Sequence, residues 1–399
     1  MAAKCYLALA GILTQFSSLY ALEALDEATM SAVTGQAQGI RLTSEFDNSI
    51  KSVSYYDDDG YAYGGNGQVG VVSLSPVRVS TPTNRPLVVE LRIDEKNGRN
   101  GLFFENRDLP IDIEVGSIAV NGKSLGGFGQ NNFQIKNNLN ANPADDQVFS
   151  VDLYAGGREG NGMTFDMDIP NSMSFDTYYD DDGTRLKSTV DFGNPFDSSS
   201  GGLKMTGLTL DLDKDGLDIG LPTITNGSIN VYNATIGDEV LNSVAYRNIN
   251  LKGGRVLLKN AEEDGNIGLE VDLTLSAQSI DSSDTGRTSL DYVYIAGAVD
   301  DNYLSGSPSS EIYEGSAKFT LLDDVSITGM RLNVDQQRGL VLDFDSATSS
   351  DGIRAHLEVS DIKFQRADRA AAGVAAPSIG TIDAKVHLTN NTYLQVEGH

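Results

Sequence analysis

Short runs that set apolar residues at every second position recur along most of the chain. Val89-Glu90-Leu91-Arg92-Ile93, Ile111-Asp112-Ile113-Glu114-Val115 and Leu208-Thr209-Leu210-Asp211-Leu212 are of this kind, and Leu340-Val341-Leu342-Asp343-Phe344 reads the same way. Period two sends successive side chains to opposite faces of an extended strand, so each run fits a sheet with one buried face. Clusters of Gly, Asn, Asp and Ser between the runs supply turn chemistry. After Ile40 the pattern therefore predicts an all-β chain of antiparallel sheets in sandwich or rolled form.

Leu22–Ile40 departs from that pattern. Leu22, Leu25, Met30 and Val33 recur at helical spacing, Asp26 can cap the start and Gly35 can stop it. This predicts a short N-terminal helix of about two turns, too short to stand without packing. It would pack on the body or serve as a docking tag, with Leu25, Met30, Val33 and Gly35 as its contacts.

The chain also repeats itself. Ser54-Tyr55-Tyr56-Asp57-Asp58-Asp59-Gly60 returns as Thr177-Tyr178-Tyr179-Asp180-Asp181-Asp182-Gly183. Thr206-Gly207-Leu208-Thr209-Leu210-Asp211-Leu212-Asp213 returns as Thr328-Gly329-Met330-Arg331-Leu332-Asn333-Val334-Asp335, and Val89–Asp94 is an earlier copy. Each copy is followed by Gly-Leu (Gly101-Leu102, Gly216-Leu217, Gly339-Leu340) and so reads as strand, polar turn, strand. Gly116-Ser117-Ile118-Ala119-Val120-Asn121 likewise matches Gly227-Ser228-Ile229-Asn230-Val231-Tyr232. The period is about 120 residues. It divides the chain into residues 1–21, residues 22–40 and three β units at 41–160, 161–283 and 284–399. Repeats that contact only their neighbours give an elongated body.

Charge narrows the function. The formal net charge is −27, from 29 Lys and Arg against 56 Asp and Glu. Such a chain repels phosphate backbones and anionic lipid surfaces, so nucleic acid is not an expected partner. Met1–Ala21 has a basic start at Lys4, an apolar run from Cys5 to Leu13 and a small residue at Ala21, the form of an export signal. Its removal would take away the only cysteine, Cys5, and with it disulfides, zinc–thiolate sites and Cys nucleophiles. No later stretch is apolar for long enough to cross a membrane as a helix. The mature chain is therefore expected in the periplasm, on the outer-membrane surface or outside the cell.

Candidate chemistry is sparse. Gly122-Lys123-Ser124-Leu125-Gly126 matches the nucleophile-elbow spacing, but it follows Asn121-Gly122, a two-residue hairpin signal. Its counterpart Asn233-Ala234-Thr235-Ile236-Gly237 lacks both Lys and Ser, which favours a structural turn. His356 and His387 lie in alternating strand segments without a partnered Ser or Cys motif. Asp211-Leu212-Asp213-Lys214-Asp215-Gly216 begins like a calcium loop, with Asp211, Asp213 and Asp215 as candidate oxygen ligands. Position twelve of that loop is Pro222, so it is no EF-hand, and a solvated acidic turn explains the same residues.

The segment Leu25-Asp26-Glu27-Ala28-Thr29-Met30-Ser31-Ala32-Val33-Thr34-Gly35-Gln36-Ala37 resembles the opening of the FilA-like pilus-assembly proteins of Acinetobacter and related gammaproteobacteria. The Tyr-Asp-rich turn, the Gly-Leu hairpin and the Gly-Ser-Ile strand resemble the β domain of the same family. This sequence departs in having Met30 where Leu is usual and Gln38 before Gly39. The resemblance implies a cell-envelope role linked to fimbriae and supplies no catalytic residues or required cofactor. The expectation is thus an exported, non-enzymatic assembly protein whose sheet edges and tag contact other pilus or envelope proteins, or further copies of itself. The alternative is a Ca²⁺-dependent surface adhesin that binds glycans or proteins through acidic, Tyr-rich loops.

Overall fold

The computed structural model describes residues 39–57, 69–135, 148–158, 160–171, 173–194, 202–212, 214, 216–263, 266–279, 284–295, 313–337, 339–343, 352–366, 369, 374–389 and 393–396. Residues 1–21, expected as an export signal, lie outside them, as does the expected helical tag at 22–40 up to residue 38; Ile40, which that reading placed in the tag, opens strand β1. The described chain is all-β, as the alternation predicts. Its first strands are β1 (Ile40–Ser44), β2 (Asp47–Ile50), β3 (Val53–Asp57), β4 (Gly70–Leu74), β5 (Val77–Ser80), β6 (Leu87–Lys96), β7 (Arg99–Asn106), β8 (Asp112–Val115), β9 (Ile118–Val120), β10 (Lys123–Ser124) and β11 (Gly127–Ile135). Next come β12 (Phe149–Ala155), β13 (Met163–Ile169), β14 (Met173–Asp181), β15 (Thr184–Phe192), β16 (Leu203–Leu212), β17 (Leu217–Ile236), β18 (Glu239–Val240), β19 (Ser243–Glu263) and β20 (Asn266–Leu275). The last are β21 (Ser289–Ile295), β22 (Gly315–Asp335), β23 (Gly339–Asp343), β24 (Gly352–Phe364), β25 (Ile382–Thr389) and β26 (Tyr393–Val396).

Following the hydrogen-bonded partners gives two long antiparallel ladders. Ladder I runs β1-β6-β7-β12-β13-β16-β17-β19-β20-β22-β23-β26. Ladder II runs β2-β5-β8-β11-β14-β15-β17-β19-β21-β22-β24-β25. In both, spatial order is chain order. Successive hairpins are laid down alternately on the two ladders, and β17, β19 and β22 are long enough to take part in each. Where β17 and β19 pass from one ladder to the other their pairing shifts, around Gly227 in one and between Arg247 and Asn250 in the other. Asn226 and Asn248 adopt left-handed backbone there (φ 51° and 49°), a conformation Asn tolerates better than most residues. A separate four-stranded sheet, β10-β9-β4-β3, stands beside the start of ladder II.

All three copies of the strand–turn–strand motif are hairpins. Ile93 lies opposite Leu102, Leu212 opposite Leu217, and Val334 opposite Leu340. The four-stranded sheet pairs Leu74 with Ile118 and Ser73 with Ala119, just as ladder II pairs Phe192 with Ile229 and Asp191 with Asn230. Turn chemistry follows the residues. Asn97-Gly98 and Asp182-Gly183 have positive φ at both central positions, as a two-residue hairpin turn needs to match the strand twist.

The apolar faces of the two ladders meet. Ile169, Leu203 and Ile224 from ladder I and Ile135, Met173 and Phe192 from ladder II form one buried cluster, with Met167, Met205, Phe175 and Val190 packed against it. Along the same alternating faces, farther from this junction, Met163, Leu212, Leu186 and Ile236 are exposed. One core thus sits where the chain crosses between ladders, and a second, of Tyr232, Ala245, Val293 and Ile295, lies on β17, β19 and β21. On the opposite face of ladder I, Asp218 is fully buried and is held by Arg255 through contacts of 2.9 and 2.8 Å. A buried carboxylate needs such a partner to offset its lost hydration.

One contact joins distant parts of the chain. The Asp57 carboxylate accepts the Val334 backbone N–H at 2.7 Å across a separation of 277 residues. Asn121 donates to the Asp335 carbonyl at 2.8 Å, and Val69 bridges to Asp335. Gly70 lies so near that a Cβ there would sit 1.7 Å from the Val334 carbonyl oxygen. The four-stranded sheet is thereby clasped to the tip of the β22–β23 hairpin.

Candidate interaction surface

The surface that the fold leaves unfinished is the pair of ladder ends. Among the described residues, β1 pairs only with β6 and β2 only with β5, while β26 pairs only with β23 and β25 only with β24. A terminal strand presents one row of backbone donors and acceptors that its own sheet does not use. The alternating pattern continues to these last strands. On β25, Ile382, Val386 and Leu388 point to the apolar face and are 56%, 43% and 41% exposed. On β26, Leu394 is 59% exposed, and at the other end Ile40 on β1 and Ile50 on β2 are 50% and 37% exposed. The opposite face of β25 carries Asp383, Lys385 and His387.

The residues singled out for chemistry are placed as follows. Ser124 sits in the β9–β10 hairpin, whose turn is Asn121-Gly122 with both φ positive. Its hydroxyl accepts the Gly126 N–H at 3.0 Å and lies 3.2 Å from the Ser117 hydroxyl. That is a turn's hydrogen bonding, not the strand-to-helix geometry of an elbow. Asp211 is buried and its carboxylate is directed at the turn between β12 and β13. There it accepts the Arg158 N–H at 2.7 Å and lies against Gly157. Asp213 and Asp215 lie outside the described residues, as do Leu25, Met30, Val33 and Gly35 of the tag. Among the described residues no three His, Cys, Asp or Glu side chains are grouped to hold a metal ion.

His356 turns out to have two partners that sequence spacing did not show. Its Nδ1 lies 2.7 Å from Asp323 on β22 and its Nε2 lies 2.8 Å from Asp383 on β25. Hydrogen bonding to Asp323, aided by Asp383, raises its pKa above the ordinary histidine value. With both ring nitrogens facing carboxylates, the protonated form fits best, as a cationic clamp across β22, β24 and β25. Elsewhere, a cleft of about 150 Å³ on the outer side of β1, β6 and β7 is lined by Arg41, Glu90, Glu105, Arg107 and Asp108. It is smaller than pockets that enclose drug-sized ligands.

The geometry defines a class: an all-β protein built of stacked hairpins, with exposed apolar strands at the ends of two ladders. A family model described as "Family of unknown function (DUF6160)" matches residues 1–115. That stretch ends with the last residue of β8. No curated protein and no solved structure matches the chain.

Proposed function

We propose that this chain is an exported, non-enzymatic structural or assembly protein of the cell envelope, acting in pilus or fimbria assembly through protein–protein contacts. The observation that carries the reading is the pair of open ladder ends. Among the described residues, strands β1, β2, β25 and β26 each pair on one side alone and carry exposed apolar side chains. Strand addition uses these two features, with backbone hydrogen bonds for affinity and alternate side chains for selectivity. Export rests on residues 1–21, and the tag at Leu25, Met30, Val33 and Gly35 would be a second contact. The high negative charge keeps such an exposed apolar surface soluble between encounters.

The test is fractionation of native cells with surface-protease accessibility, combined with electron microscopy of a deletion strain. The reading expects the chain in the envelope fraction and altered appendages in the deletion. A cytoplasmic location with unchanged appendages removes it.

A further inference from the structure

We infer that the partner these open ends fit is a second copy of this chain, added head to tail so that both ladders continue from one molecule into the next. The inference rests on the assembly reading and names its partner. Three features carry it. The first is strand direction. Every neighbouring pair in both ladders is antiparallel, and each ladder holds an even number of strands. First and last strands therefore run in opposite directions. When β26 of one copy meets β1 of the next, and β25 meets β2, both new pairs are antiparallel without either molecule turning over.

The second feature is the side-chain face. Ile382, Val386 and Leu388 on β25 and Leu394 on β26 continue the apolar faces of their ladders, and so do Ile40 and Leu42 on β1 and Ile50 on β2. A junction in register covers apolar rows with apolar rows, whereas a one-residue slip would set them against water. The third is charge. The outer face brings Asp383 and Lys385 at one end and Arg41 and Asp47 at the other, so neither end stacks a single sign. The clasp between β3–β4 and β22–β23 is made by none of the four terminal strands. Because the two contacting surfaces differ, the junction is heterologous and has no built-in stop.

The experiment uses the purified chain, its mass followed by light scattering across a concentration series at several salt concentrations. Wild type should show an average mass that rises several-fold with concentration, more steeply at higher salt, where the repulsion between copies of charge −27 is screened. One variant carries Val386→Lys and Leu394→Lys, the other Ile40→Lys and Ile50→Lys. These positions are exposed in the single chain, so circular dichroism and melting should match wild type. Each variant alone should remain monomeric. Their equimolar mixture should form dimers and stop there, because each contributes one intact end. A wild-type chain that stays monomeric throughout overturns the inference, and so does either variant associating with itself, which would signal a two-fold contact. These outcomes are separate from the envelope reading. Association in vitro stands whatever the deletion strain shows, and an envelope location stands if the purified chain does not associate.

Discussion

Replacing Gly207 or Gly329 with alanine should destabilise two equivalent places, each only locally. Each glycine sits where ladder I takes up an extra residue. Pairing shifts between Phe165 and Met167 opposite β16, and between Val271 and Leu273 opposite β22. Gly207 has φ +77° and Gly329 φ +68°. The Gly207 N–H donates to Asp166 at 2.7 Å, and the Gly329 N–H donates to Asp272 at 2.7 Å. A Cβ at Gly207 would meet nothing within 4 Å. The cost of alanine there is therefore backbone handedness alone, about 1–2 kcal/mol. Removing the acceptor with Asp166→Ala should cost about 1.5–3 kcal/mol, the usual worth of a hydrogen bond to a charged group. At about 4.8 Å per strand the two sites stand roughly 20 Å apart, so the double glycine variant should show the sum of the single effects. Hydrogen exchange read by mass spectrometry is the assay, because a long stacked chain need not unfold in one step. Gly207→Ala should speed exchange in β13 and β16 and leave β20 and β22 unchanged, with the reverse for Gly329→Ala. Gly207→Asn should recover part of the loss, since Asn tolerates positive φ. Alanine costing less than about 0.5 kcal/mol at both sites would refute the reasoning, because L residues cannot adopt that backbone freely.

Other expectations follow from single contacts. Arg255→Met leaves Asp218 buried without its cation and should cost about 3–5 kcal/mol in urea unfolding, most of it returned by adding Asp218→Leu. Gly70→Ala cannot fit against the Val334 carbonyl, so the clasp should open and limited proteolysis should cut near residues 53–74 far faster than in wild type. The His356 pKa is raised on folding, so its stabilisation is complete below the ordinary histidine value near 6.5 and is lost as pH rises through the raised value. Melting curves from pH 5 to 9 should show that loss, and His356→Phe should flatten it. Titration with millimolar Ca²⁺ should leave the melting temperature unchanged on the assembly reading, and a saturable rise would favour the acidic-loop alternative.

What the sequence discloses and what it hides divide along the range of the interactions. Strand character was legible because period two is local, and the hairpins at Ile93–Leu102, Leu212–Leu217 and Val334–Leu340 follow from runs and turns within a few residues. The Asn-Gly turn before Ser124 was legible for the same reason. Strand length was not. β17 runs unbroken through Asn226-Gly227, because a shift in pairing lets one strand serve both ladders. Asp211 shows how a strand position sets the direction of an acidic side chain. On a strand its side chain takes the face that alternation assigns, which here turns it toward Gly157 and the β12–β13 hairpin. The partners of His356 lie 33 and 27 residues away and share no pattern with it. The Asp57–Val334 contact is farther still and breaks the expectation that stacked repeats touch only their neighbours. The open ends combine both kinds of information. Alternation in Ile382–Leu388 could be read directly, but that β25 is a last strand, running opposite to β2, depends on every pairing between them. The apolar row was therefore visible from the start, and its meaning as a junction surface came only with the order of the strands.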